Sequence, residues 1–207
     1  MRRKHGWLAI AGSLLLLAGC STNKQMADLV DVKRVVPGVV LDIRYATTNN
    51  FTGKKLYPVA KCCLRKEAAV SLREVQEELH ELGYGLKIYD GYRPLSVQKK
   101  MWEVYPHEDY VANPAKGSRH NRGAAVDLTL IRLDGTAVSM PTEFDDFTEK
   151  AHRNYMDLPE EQIQNRELLA RIMTAHGFKG LPAEWWHFDY KNWERYEILD
   201  IDYSRIK

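Results

Sequence analysis

The chain is expected to fold as an α+β domain, a small and mainly antiparallel sheet with helices packed around it. Three observations predict this. Helix-period apolar stretches are interspersed with short strand-like runs, a hairpin turn links two of those runs, and no repeat or low-complexity tract breaks the order.

Taken in order, Val35-Val36-Pro37-Gly38-Val39-Val40 is β-branched with a turn in its middle, and Leu41 to Tyr45 alternates like a strand. Thr47 to Gly53 is rich in turn formers and reads as an ordered loop. Ala68, Ala69, Leu72, Val75, Leu79 and Leu82 recur at three- and four-residue steps, which predicts a helix over 65–82 with Gly83 at its end. Leu86 to Tyr89 is a short strand that runs into the turn Asp90-Gly91-Tyr92-Arg93-Pro94, and Ser96 is placed to cap a helix reaching Tyr105. Ala124 to Ile131 is a strand, and Leu133-Asp134-Gly135-Thr136 turns toward Ala137–Met140 as its hairpin partner. Residues 141–158 are polar and irregular. Pro159 opens a helix carrying Ile163, Leu168, Leu169, Ile172 and Met173, Gly177 closes it, and Trp185–Tyr190 is the last strand.

The amino terminus has a separate character. Arg2, Arg3 and Lys4 precede a short apolar run from Trp7 to Ala18, too short for a comfortable membrane span. It closes on Leu17-Ala18-Gly19-Cys20, which resembles the lipobox of bacterial lipoproteins. The resemblance implies a signal over 1–19, lipid on Cys20, a tether over 20–30 and a domain over 31–207. Ser21 after the cysteine favours the periplasmic face of the outer membrane in a Gram-negative host. Without residues 1–19 the chain has 27 basic against 28 acidic residues, so the formal +2 of the whole sequence is mostly signal. No basic patch argues for nucleic acid. Cys62 and Cys63 are adjacent, which disfavours a mutual disulfide, and they lack zinc-site partners; one buried cysteine and one spare thiol are expected.

The chemistry concentrates in Ser118-Arg119-His120-Asn121-Arg122-Gly123-Ala124-Ala125-Val126-Asp127 and in Glu184-Trp185-Trp186-His187. Two imidazoles and a carboxylate are a common set for a catalytic zinc that keeps a fourth position open, and a spare Glu beside a ligand suits a hydrolytic base. Strand alternation points Asp127 away from Val126 and Leu128, and Gly123 lets the loop turn so that His120 converges with it. Glu184 and His187 have an odd offset, so only a turn or bulge brings both to one face. Taken singly, each histidine is also compatible with a structural role, as for His80 and His176 near helix C-termini. The Trp185-Trp186 pair is compatible with core packing.

Ser118-x-His120-x-x-Gly123-x-Ala125-x-Asp127 followed by Glu184-x-x-His187 resembles the zinc signature of the D-alanyl-D-alanine peptidase superfamily. Tyr45-Ala46-Thr47 leading to Asn50-Phe51-Thr52-Gly53, Asp90-Gly91-Tyr92-Arg93-Pro94 and Asp127-Leu128-Thr129-Leu130 narrow the likeness to its D-Ala-D-Ala dipeptidases of the vancomycin-resistance type, over about residues 28 to 200. The resemblance implies one zinc per chain on His120, Asp127 and His187, Glu184 as base, Arg93 at the transition state, and Tyr45, Ser118 and Asp145 around a small dipeptide substrate. By residue type alone Arg93 also suits a structural pair with Asp90, and Asp145 a solvated loop acid. Pro141 in Met140-Pro141-Thr142, where the family usually carries Gly, bears on the approach to Asp145. The implied activity is hydrolysis of D-Ala-D-Ala outside the cytoplasm during wall turnover. The alternative is a zinc carboxypeptidase or endopeptidase trimming longer wall peptides. No obligate protein partner is indicated.

Overall fold

A computed structural model describes residues 29–206. The signal over 1–19, Cys20 and most of the tether lie outside the described residues. Seven strands and four helices follow in chain order: β1 Leu29–Asp31, α1 Val32–Val35, β2 Val40–Leu41, β3 Cys63–Arg65, α2 Lys66–Glu81, β4 Tyr84–Asp90, α3 Leu95–Val104, β5 Ala125–Arg132, α4 Glu160–Ala175, β6 Phe178–Leu181 and β7 Glu184–Tyr190. The main sheet has the order β2-β4-β5-β7-β6, antiparallel except where β2 runs parallel to β4, and β1 pairs with β3 in a separate ribbon. The expected α+β class holds. Among the described residues no helix is long and apolar enough to cross a membrane.

The helix-period signal of α2 translates directly into packing. Ala68, Ala69, Leu72, Val75 and Leu79 are wholly buried, and burial of such larger side chains stabilises by about 1.5–3 kcal/mol each. Leu82, expected on that face, is the C-terminal cap and is 47% exposed, because Gly83 at φ +84° turns the chain away. Helix α2 packs on β4, α4 packs on β6 and β5, and the two helices touch. Strand β5 is buried along Ala125–Ile131, with Val126, Leu128 and Leu130 in the core and Asp127 on the alternate face.

Several elements depart from the sequence reading. Val35 ends a helical turn capped by Asp31, whose carboxylate accepts from the Lys33 N–H at 3.0 Å; a local cap outweighs the β-branched propensity there. Strand β2 is only two residues long, and Arg44–Ala46 is a 3-10 turn rather than strand. Its reversal lets the Tyr45 carbonyl accept from the N–H groups of Leu56 and Tyr57, which closes the loop over 47–56. Ser96 does not cap α3; its own N–H donates to the Asp200 carboxylate at 2.9 Å, so a distant residue does the capping. Ala137–Met140 forms a single bridge, Ile131 to Ala137, in place of a hairpin strand. Strand β6 was not among the expected elements. The folded part begins by Leu29, because β1 already pairs with β3 there. Cys62 and Cys63 are both buried and both free, so neither is a spare surface thiol.

Candidate active site

Three structural decisions build the site. The first is the turn His120–Arg122, closed by Gly123 at φ +66°, a left-handed conformation costly for a side chain. A Cβ on Gly123 would also lie 2.6 Å from Leu29, so the position demands glycine twice over. The second is the pairing of Asp127 with His187 across β5 and β7. The third is a register shift between β6 and β7: Gly180 faces Phe188, but Leu181 faces Glu184. This irregularity is the bulge that the odd spacing of Glu184 and His187 requires, and it brings Glu184 Oε2 to 3.8 Å from His187 Nδ1.

His120, Asp127 and His187 then converge, all buried, with one donor atom each within 4.8 Å of the others. Their tautomers follow from their outer partners. His120 Nδ1 lies 2.7 Å from the Gly91 carbonyl, which can only accept, so Nδ1 carries the proton and Nε2 points inward as a lone pair. His187 Nε2 lies 2.9 Å from Asp189, whose acidity is raised chiefly by that hydrogen bond against the cost of burial, so Nε2 carries a proton and Nδ1 is the nitrogen that faces inward, free to bind a metal once it gives up its own proton. The inward nitrogens are 3.1 Å apart, and Asp127 Oδ1 stands 3.0 Å from one and 3.4 Å from the other. Two ring nitrogens and a carboxylate oxygen crowded this closely need positive charge among them, from a proton or a metal cation, and an N2O set with an open side fits zinc. The charges agree. Burial would raise Asp127, but His120 and His187 hold it well below the usual carboxylate range. Burial would lower His187, but Asp127 and Asp189 draw positive charge to it and lift it to about 10.

Glu184 makes no part of that triad. Burial pushes it up to about 8, with Asp127 and Asp145 adding to the rise and His187 opposing it. Arg93 has both of the geometries open to it in the sequence. Its Nε and Nη2 grip Asp90 Oδ2 at 3.0 and 2.7 Å and its Nη1 donates to Gln98 at 2.9 Å, yet its guanidinium lies 5.2 Å from the Tyr45 ring and faces the cavity. Asp90 is fully buried and also accepts from the Tyr57 hydroxyl and the Gly91 N–H.

Asp145 is not a solvated loop acid. It is half-buried in the cavity wall at φ 64°, a backbone conformation uncommon for a residue other than glycine. Phe144, stacked on Tyr89 at 4.7 Å and edge-on to Trp186 at 5.5 Å, anchors the chain beside it. The Tyr45 hydroxyl donates to one carboxylate oxygen at 2.9 Å and the Phe51 N–H to the other at 3.2 Å. Burial dominates nonetheless and pushes Asp145 up to about 7. Ser118 lines the same wall, its hydroxyl oxygen accepting from the His120 N–H at 3.2 Å.

All eight described candidates thus border one cavity of about 100 Å³: Tyr45, Arg93, Ser118, His120, Asp127, Asp145, Glu184 and His187. Cys20 lies outside the described residues. Asp189 was missed by the sequence reading, although its position two residues after His187 in a strand puts both on one face. Phe51 and Trp186 also line the cavity, Trp186 while remaining buried, and Trp185 packs against it and donates to Thr142.

Comparison with known proteins agrees with this geometry. The profile of the Peptidase_M15 family, described as D-ala-D-ala dipeptidase, matches residues 25–203. A D-alanyl-D-alanine dipeptidase of Escherichia coli K12 is 37% identical over 177 residues, covering 86% of this chain and 92% of the relative. Those of Enterococcus faecalis and Streptomyces coelicolor are 38% and 33% identical, over 73% and 79% of this chain and 85% and 92% of their own lengths.

Proposed function

The chain belongs to the Peptidase_M15 family of D-Ala-D-Ala dipeptidases, and from that premise we propose that it hydrolyses free D-Ala-D-Ala to two D-alanines with one zinc ion held by His120, Asp127 and His187. The observation that carries this is the convergence of His120, Asp127 and His187 beside a buried Glu184 and in one cavity with Asp145. Zinc supplies polarisation of the scissile carbonyl and a more acidic attacking water.

The residues of the chain do the rest. Glu184, which burial makes more basic than an ordinary carboxylate, takes the proton from water and hands it to the leaving amine. Arg93 uses three of its five N–H groups on Asp90 and Gln98, which aims the remainder at the carbonyl oxygen as negative charge develops there. One such donor contributes about 3 kcal/mol at the transition state. Asp145, with Tyr45 orienting it, pairs with the free ammonium of the substrate, and Ser118 borders the same pocket. A blocked or extended amino terminus would leave a desolvated carboxylate without a partner, which favours a dipeptide over longer peptides.

The amino-terminal segment supports an exported, lipid-anchored enzyme that acts on dipeptide released in wall turnover, with Cys20 as the anchor. Cys20→Ala should move the protein from the membrane to the soluble fraction; an unlipidated cytoplasmic wild type would overturn this.

The test of the activity compares free D-Ala-D-Ala with its N-acetylated form, using residues 21–207, with and without a chelator. Chelator-sensitive cleavage of the free dipeptide alone is expected. Cleavage of the blocked form would favour a carboxypeptidase or endopeptidase. The pH profile has a definite sign. Asp145 must be ionised to meet an ammonium, and its carboxyl sits at about 7 in the folded protein, so KM for the free dipeptide should fall as pH rises through about 7. Asp145→Asn should remove that limb; a KM limb that persists in the variant would detach Asp145 from the ammonium.

A further inference from the structure

The β6–β7 register is regular from Phe178↔Tyr190 through Gly180↔Phe188 and then jumps to Leu181↔Glu184. Continued without the jump, the ladder would set Leu181 against His187, and strand alternation would send Glu184, three residues away, to the opposite face from His187. The jump therefore decides whether the base and the ligand meet. It also ends the regular pairing beside the carbonyls of Leu181, Trp185 and His187, which then call for donors from elsewhere in the fold.

Arg153, in the irregular stretch 141–158 and outside the cavity wall, supplies those donors. Its Nε donates to the Leu181 carbonyl at 3.0 Å, and its Nη2 to the carbonyls of Trp185 and His187 at 2.8 and 2.9 Å. Its backbone N–H donates to the Pro182 carbonyl at 2.9 Å. The guanidinium lies 4.3 Å over the Phe188 ring, and a Cβ on Gly180 would come within 2.3 Å of it. Gly180 is thus the space through which the arginine reaches the broken ladder. A half-buried cation that spends its donors on three backbone carbonyls is organising the chain path.

We propose that Arg153, admitted by Gly180, is a positioning residue for the hydrolytic reaction: its fork replaces the missing β6–β7 ladder and so holds Glu184 on the face of His187. This rests on Glu184 acting as the base.

The experiment uses the zinc-loaded wild type, Arg153→Met, Arg153→Lys and Gly180→Ala, with Glu184→Gln alone and combined with Arg153→Met. Arg153→Met and Gly180→Ala should lower kcat about 100-fold, the scale of a misplaced general base. KM should stay within about threefold, since Asp145 and Tyr45 are untouched. Zinc affinity by chelator competition should stay near that of the wild type, because His187 remains paired to Asp127 across β5. Lysine, a compact charge without the planar fork that spans the three carbonyls, should restore only part of the rate. The double variant should be no slower than Glu184→Gln, as for two changes acting through one group. Wild-type kcat in Arg153→Met and Gly180→Ala would overturn the proposal, as would losses that multiply in the cycle or follow zinc loss. Failure of both single variants to fold would assign Arg153 to global stability instead. An inactive wild type would sink the proposed function itself, whereas an active wild type with an active Arg153→Met would sink only the positioning role.

Discussion

Glu184→Gln is expected to retain zinc and the fold while losing turnover of D-Ala-D-Ala by about 10²–10⁴-fold, the range for removal of a positioned general base. Glutamine keeps the volume and the hydrogen-bonding reach but cannot accept a proton from water. The fold should tolerate the change well. Burial already disfavours the charged form of Glu184, lifting it to about 8, so a neutral isostere relieves a cost rather than adding one. The triad does not use Glu184, so metal content should be unchanged. Release of D-alanine by a coupled oxidase assay, beside zinc per chain and the thermal midpoint, checks all three. Turnover within tenfold of wild type with zinc bound would remove Glu184 from the mechanism, whereas lost zinc would recast it as a ligand.

Asp90→Asn should be the most damaging single change to stability, by about 3–5 kcal/mol, the cost of orphaning one member of a buried ion pair. Asp90 is completely buried and accepts from Tyr57, from the Gly91 N–H and twice from Arg93. Burial raises its carboxyl, while Arg93 and His120 work against that rise. An asparagine fills the space but leaves the guanidinium without its counter-charge, and Arg93 should swing toward Asp127, already 3.9 Å away. Activity should fall with stability, because Arg93 would leave the carbonyl position and crowd a ligand. Urea unfolding and kcat measured on the same preparation check this. A loss below about 1 kcal/mol, the scale of an exposed pair, would mean that the pair is solvated in solution.

The site was legible where chemistry is carried by residue type and short spacing. His120 with Asp127, and Glu184 with His187, are close in sequence and stand on elements that the patterns identified, so their candidacy needed no tertiary information. Asp189 was equally local and was missed because a lone aspartate after a histidine has many ordinary roles. The harder part was Glu184. Its odd offset from His187 forbids a shared face in a regular strand, and only the broken β6–β7 register resolves this. That register depends on β6, whose Gly180 and Pro182 disguise it as loop, and on Arg153 arriving from 28 residues upstream of Leu181. The errors in the fold have the same origin. The cap of α3 comes from Asp200 and the closing of the loop after Tyr45 comes from Leu56 and Tyr57, contacts that no local window contains.

The sequence by itself determined the α+β class, the long helices α2 and α4, the strands β4, β5 and β7, and the residue types able to hold a metal and move a proton. Periodicity and donor chemistry are properties of neighbours along the chain. Tertiary structure alone decided which ring nitrogens face inward, that Asp145 lines the cavity with Tyr45 and Phe51 as its partners, and that Arg93 pairs with Asp90 while still facing the same cavity. Those outcomes turn on burial and on partners far apart in sequence. Desolvation and hydrogen-bond direction set them, and both arise only once the chain has packed.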